Sequence, residues 1–319
     1  VTVTHLQIEP TSRCNFTCGF CWGRRLDPGD LAWDDVERAL ATFPEVTHVE
    51  LQGEGEPLLV AGFLDQVAAL RARGVAVSFI TNGSKLTDDV AERIVALGVS
   101  TVMVSLETTD PARFQRLRGG GWPATRRGLE RLVAAKRRVH GDRPAIGLAV
   151  TVLRSTVDDF PTIAALYRDL GLDGGVLVQP LNPMSGYAGT YDADLRSEIP
   201  DRTALSRLDA HLRDHADVLT PSSGDRGFYG DLYGPRPEGG RVACPWLERG
   251  LYLDRFGRYA ACCMAKPEVA AFGDAASTTR AAVLEQRAAM ARELASGRTP
   301  TPCAGCDVAR EVAARATPR

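Results

Sequence analysis

Cys14-Asn15-Phe16-Thr17-Cys18-Gly19-Phe20-Cys21 follows closely on Val3-Thr4-His5-Leu6-Gln7-Ile8-Glu9, an alternating run that reads as a β-strand. Three thiols at Cx3Cx2C spacing on one short loop can hold three corners of a [4Fe–4S] cube. The fourth iron then has no ligand from the chain, which leaves a position that a small molecule can chelate. A structural zinc loop would want a fourth ligand in a closed site, and none stands nearby in the sequence. The loop therefore reads as a cluster loop at the C-terminal end of a first strand.

Outward from that strand, apolar β-branched runs alternate with helical patterns. Strands are predicted at 3–8, 47–51, 75–80, 99–106, 146–153 and 175–179, and helices at 33–41, 63–73, 88–97, 123–140 and 158–170. Gly74, Gly98, Gly141 and Gly171 stand where those helices should stop. Six strand–helix units in this order imply an α/β fold with a parallel sheet and right-handed crossovers. The expected architecture is a partial (β/α)6 TIM-like barrel, with its site at the strand C-termini. A further helix at 201–218 completes a first domain, 1–219. Residues 220–240, rich in Gly, Ser, Pro, Tyr and Asp, read as a linker or lid. Residues 241–319 read as a second unit: a hairpin (250–253 and 258–262 around Asp254-Arg255-Phe256-Gly257), a helix over about 280–296, and then Cys303-Ala304-Gly305-Cys306.

The chain has 319 residues and a formal net charge of −2, which gives no electrostatic footprint for nucleic acid or an anionic membrane. No apolar run reaches the roughly 18–20 residues of a membrane span, and the N-terminal segment lacks the pattern of a signal peptide. A cytoplasmic location is expected. There, clustered cysteines bind metal more often than they form disulfides. The eight cysteines fall into two groups, 14–21 and 244–306, so two separate sites are the simplest reading. Of 38 basic residues only Lys85, Lys136 and Lys266 are lysines, a bias expected of a GC-rich genome. His211 and His215 share a helix face, but no third ligand accompanies them.

The Cx3Cx2C loop, with Phe20 before the third cysteine, resembles the signature loop of the radical S-adenosylmethionine (SAM) superfamily. The resemblance implies that Cys14, Cys18 and Cys21 hold a [4Fe–4S] cluster whose open iron binds SAM. Gly53-Glu54-Gly55-Glu56-Pro57 is similar to the family's Gly-Gly-Glu-Pro element. Glu54 replaces the first Gly of the pair, while Gly55, Glu56 and Pro57 match. By resemblance Glu56 pairs with the methionine ammonium, and glycine lets the backbone approach the ligand. Ser105 and Glu107 are expected at the ribose, Asn82 on the same rim, Gln179 at SAM or substrate, and Phe20 against the adenine. Glu9, ending the first strand, is a candidate for a substrate hydroxyl or ammonium.

Cys244-x17-Cys262, the hairpin between them and the distant Cys303-x2-Cys306 resemble the Twitch domain, the shortened relative of the SPASM domain. The resemblance implies a second, auxiliary [4Fe–4S] cluster on Cys244, Cys262, Cys303 and Cys306. A zinc site on the same four residues is the alternative. Cys263 is left over. An S–H bond is weaker than a typical C–H bond, so this thiol can return a hydrogen atom to a carbon radical, as cysteines do in radical SAM epimerases. The alternatives are an inert buried thiol or an exchange of roles with Cys262. The chain is similar to radical SAM enzymes of sugars and aminocyclitols, such as 2-deoxy-scyllo-inosamine dehydrogenase and neomycin-type aminoglycoside epimerases. The expectation is an epimerase that inverts a carbinol carbon of a sugar or aminoglycoside-like natural product, in antibiotic biosynthesis. It would need an external one-electron reductant such as flavodoxin or ferredoxin. A dehydrogenase forming a ketone, and a peptide-modifying enzyme, are the alternatives. Tyr187, Tyr191, Phe228, Tyr229 and Tyr233 are candidates for lining the substrate site, as aromatics stack on sugar rings.

Overall fold

The computed structural model describes residues 2–220, 228, 243–266 and 270–316. The expected linker or lid, with Tyr229 and Tyr233, lies almost wholly outside the described residues. The first strand, β1 (His5–Ile8), leads through the cysteine loop to α1 (Trp33–Thr42), then β2 (His48–Leu51), α2 (Phe63–Ala72), β3 (Ala76–Thr81) and α3 (Asp88–Ala96). β4 (Thr101–Ser105) is followed by two helices, α4 (Pro111–Arg118) and α5 (Trp122–Arg138), before β5 (Ala145–Val152), α6 (Phe160–Asp169) and β6 (Val176–Pro180). Two short helices, α7 (Ser185–Ala188) and α8 (Ala193–Ser197), precede α9 (Arg202–Asp214). The C-terminal part contains α10 (Pro245–Arg249), β7 (Gly250–Leu253), β8 (Tyr259–Ala260), α11 (Arg280–Ala295) and α12 (Asp307–Ala316).

The helix starts follow from local chemistry. Thr87, Asp110, Asp201 and Thr279 each accept a backbone N–H from the first turn of α3, α4, α9 and α11, a cap worth about 1 kcal/mol. α4, which the sequence pattern missed, begins at the capped pair Asp110-Pro111 and stops at Gly119, whose φ of +62° favours glycine.

The six strands β1–β6 pair in parallel in chain order, as a partial TIM-like barrel requires. The C-terminal hairpin joins them. β7 pairs in parallel with β1, His5 opposite Gly250 and Ile8 opposite Leu253, and β8 pairs antiparallel with β7. The sheet is therefore continuous across the boundary expected near residue 240, in the order β6-β5-β4-β3-β2-β1-β7-β8. Successive side chains face opposite sides of a strand. Leu6, Ile8, Val102, Val104, Leu148 and Val150 pack in the large apolar core. The intervening Met103, Ala149 and Leu177 form a smaller cluster with Trp246, Tyr252 and Cys263. The hairpin thus delivers Cys263 to the second face of the sheet.

Candidate active site at the strand C-termini

The cysteine loop is pinned to α4: Thr17 N–H donates to the Arg118 carbonyl at 2.8 Å and Gly19 N–H to the Leu117 carbonyl at 3.2 Å. Cys14, Cys18 and Cys21 line one cleft together with Phe20, Gly55, Glu56, Asn82, Ser105 and Gln179. Burial pushes the Cys18 thiol up to about 11, and burial followed by Glu54 pushes Cys21 well above its ordinary value. The Cys21 thiol turns to the Glu54 carbonyl and carboxylate, each at 3.4 Å, and the Cys18 thiol to the Arg118 carbonyl at 3.8 Å. Among the described residues, the second cysteine group included, no three His, Cys, Asp or Glu converge on a metal position. The donor set, three soft sulfurs on one wall of an open cleft, fits iron of an iron–sulfur cluster better than a hard cation.

Three acidic candidates have other employment. The Glu56 carboxylate is 1% exposed. It accepts from the Thr81 hydroxyl at 2.7 Å, Asn82 N–H at 2.6 Å and Leu58 N–H at 3.2 Å. It knits the end of β3 to the loop after β2, and burial raises its pKa despite these donors. Glu107 is bound through both oxygens by Arg118, Nη2 to Oε1 at 2.6 Å and Nε to Oε2, so it is Arg118 that reaches the cleft. Glu9 lies beneath the loop after β2, accepting from Tyr252 Oη at 2.7 Å and Glu54 N–H at 3.0 Å. Burial, opposed by Lys266, brings its pKa to about 7. Neither Glu9, Glu107 nor Pro57 is among the cleft-lining residues. The glycines at 53 and 55 serve this internal packing. A Cβ on Gly53 would meet the Glu9 Cγ at 2.2 Å, and one on Gly55 the Thr11 carbonyl at 2.3 Å.

The second cysteine group separates Cys262 from its neighbour. Burial, and then Cys263, Cys303, Cys244 and Cys306, push the Cys262 thiol well above its ordinary value. Ala265 N–H donates to Cys262 Sγ at 3.3 Å, which wraps the loop around that sulfur. Cys263 instead lines an inner cavity with Gln7, Gln52, Glu54, Ser105, Gln179 and Lys266. Burial, opposed by Lys266, takes its thiol up to about 11, so it carries its hydrogen at neutral pH.

Glu54, the departure in the glycine element, is the hub of the cavity. Its carboxylate receives the Tyr187 hydroxyl at 2.8 Å, Gly23 N–H at 3.1 Å and the Lys266 ammonium. Burial alone would raise its pKa, but Lys266, with Tyr187 and Cys21, holds it below the ordinary value. The ammonium, 4% exposed, sits 5.1 Å from the Tyr187 ring and 5.7 Å from that of Tyr252, a cation–π cage. Sequence reasoning missed Lys266 and gave Glu54 no role. The scarcity of lysine was the available signal, since arginine cannot supply a compact ammonium. Tyr187 and Tyr191 line the cleft, whereas Phe228 stacks on His5 at 3.9 Å, away from it. His211 and His215 pair with Asp158 and Arg168 on the surface.

The profile of the Radical SAM superfamily matches residues 8–166. The chain carries a radical SAM domain, and the family implies a [4Fe–4S] cluster and SAM. It is 31% identical over 189 residues to the tungsten-containing aldehyde ferredoxin oxidoreductase cofactor-modifying protein of Pyrococcus furiosus, covering 57% of this chain and 52% of that one. It is 31% identical over 173 residues to the mycofactocin maturase MftC of Mycobacterium tuberculosis, covering 50% and 41%. The chain thus spans about half the length of these relatives. Its fold is that of the crystal structure of anSMEcpe with bound AdoMet, at a TM-score of 0.64, 15% identity, and coverage of 88% of this chain and 80% of that one. Among the described residues no helix is long and apolar enough to cross a membrane.

Proposed function

We propose that the chain is a radical SAM epimerase that inverts a carbinol carbon of a sugar or aminoglycoside-type natural product. The observation that carries this reading is the place of Cys263 in the wall of the cavity, beside Ser105 and Gln179, while the adjacent Cys262 is not among the lining residues. Cys14, Cys18 and Cys21 would hold the first cluster, and Cys244, Cys262, Cys303 and Cys306 an auxiliary one in a Twitch-type unit. When bound, the first cluster and SAM supply a 5′-deoxyadenosyl radical, which takes hydrogen from an unactivated carbon. The backbone around Gly55, with Asn82, Ser105, Gln179 and Phe20, forms the SAM wall of the cleft. Cys263 returns hydrogen to the opposite face of the carbon: its S–H bond breaks and a C–H bond forms. The resulting thiyl is restored by one electron from a reductant of the ferredoxin or flavodoxin class and one proton from solvent.

Because S–H exchanges with water, turnover in deuterium oxide is expected to place one deuterium at the inverted carbon of an isomer. Product without that deuterium removes Cys263 from the reaction, and a product lighter by two hydrogens makes the chain a dehydrogenase. A peptide- or cofactor-modifying role is the second reading. Cofactor modification and maturation are the roles that the names of the Pyrococcus and Mycobacterium relatives give, and an inert response to every sugar and cyclitol offered would favour this reading.

A further inference from the structure

One buried cation beside the C-terminal cysteines has no use in the chemistry above. α11 turns Val283, Arg287, Met290 and Leu294 inward, and Arg287 is fully buried at 0% exposure. A guanidinium taken out of water costs several kcal/mol unless a negative partner and acceptors for its five N–H groups are at hand. Arg287 Nη2 donates to the Trp246 and Leu247 carbonyls at 3.1 and 3.2 Å. Nε and Nη1 are buried with no hydrogen-bond partner among the described residues. Both carbonyls belong to α10, whose N-cap residue is Cys244, and the pull of Cys244 and Glu45 only partly offsets the cost of burying the guanidinium. Glu45 is already gripped by both terminal nitrogens of Arg280, at 2.6 and 2.7 Å. That leaves Cys244, the N-cap residue of the helix whose carbonyls hold Arg287. A stripe that only had to pack would use a methionine here, which is often neutral or stabilising in place of a buried charge.

We infer that Arg287 is the built-in counter-ion of a polyanionic metal–thiolate centre on Cys244, Cys262, Cys303 and Cys306, and that it sets that centre's reduction potential. The inference rests on the proposed auxiliary cluster. Four thiolates around an iron–sulfur cube leave net negative charge, which grows on reduction. A fixed cation beside the centre stabilises the reduced form more than the oxidised one, and so raises the potential. A centre tuned upward in this way accepts an electron more readily than the same cluster in a neutral pocket.

The test uses the full chain carrying Cys14→Ala, Cys18→Ala and Cys21→Ala, so that only the second centre contributes iron and signal. After anaerobic reconstitution this background is expected to hold about four irons, and redox titration followed by electron paramagnetic resonance reads their potential. Adding Arg287→Gln, which keeps an amide for the Trp246 and Leu247 carbonyls but removes the charge, is expected to lower the reduction equilibrium at least tenfold. That corresponds to a negative shift of about 59 mV for a one-electron couple. Arg287→Lys, which keeps the charge, is expected to shift it less. Loss of iron in Arg287→Gln with retention in Arg287→Lys also supports the counter-ion. About four irons with an unchanged potential in Arg287→Gln, or equal effects of the two substitutions, overturns the inference and leaves the cluster standing. A background that takes up zinc or no iron overturns the cluster reading itself.

Discussion

Cys263→Ala is expected to separate SAM cleavage from product formation. The variant should release 5′-deoxyadenosine when reduced, because Cys14, Cys18, Cys21 and the cleft around Gly55 are untouched, yet accumulate no inverted product. A positioned group that delivers a proton in a transition state contributes about 10²- to 10⁴-fold, and loss of a hydrogen-atom donor should fall at least in that range. Cys263→Ser makes the point more sharply. The hydroxyl has nearly the thiol's shape, but its O–H bond is too strong to surrender hydrogen to a carbon radical. Quantifying 5′-deoxyadenosine and product side by side checks both variants. Inversion at the wild-type rate in either one would assign the returned hydrogen to another group.

Lys266→Met is expected to have the largest effect on stability. It leaves the Glu54 carboxylate buried among Tyr187, Gly23 and Cys21 without its cation. Breaking a buried pair from one side costs about 3–5 kcal/mol, read as a lower urea midpoint at unchanged slope. The double variant Glu54→Gln, Lys266→Met should regain much of that loss, since no charge is then stranded. The coupling energy from the four proteins isolates the pair. A single-variant loss below about 1 kcal/mol, the range of exposed pairs, would mean that the ammonium is not held as described.

The two sites differ in how far the sequence exposes them. The cysteine loop was legible because its thiols are local: Cx3Cx2C puts three sulfurs on one short loop, and all three line one cleft. The strand and helix order was legible from periodicity and from the glycines that end helices. What escaped depends on distant partners. β7 joins β1 in parallel although some 240 residues separate them, and no local pattern signals that pairing. The Glu56 and Glu107 carboxylates are drawn inward by Asn82, Thr81 and Arg118, donors that converge only through the sheet and α4. Lys266 meets Glu54 across 212 positions, so neither sequence neighbourhood announces a pair. The adjacent cysteines were an open choice in the sequence. Only the assembled cavity distinguishes them: it is lined by Cys263 together with Gln7, Gln52 and Gln179 from β1, the loop after β2 and β6, and that is a tertiary effect.

The most direct test of the account is an iron and sulfide count after anaerobic reconstitution of wild type, Cys262→Ala and Cys263→Ala. About eight irons per chain are expected in wild type and Cys263→Ala, and about four in Cys262→Ala. A fall to about four irons in Cys263→Ala, with Cys262→Ala unaffected, would make Cys263 the ligand, withdraw the hydrogen donor, and contradict the epimerase reading.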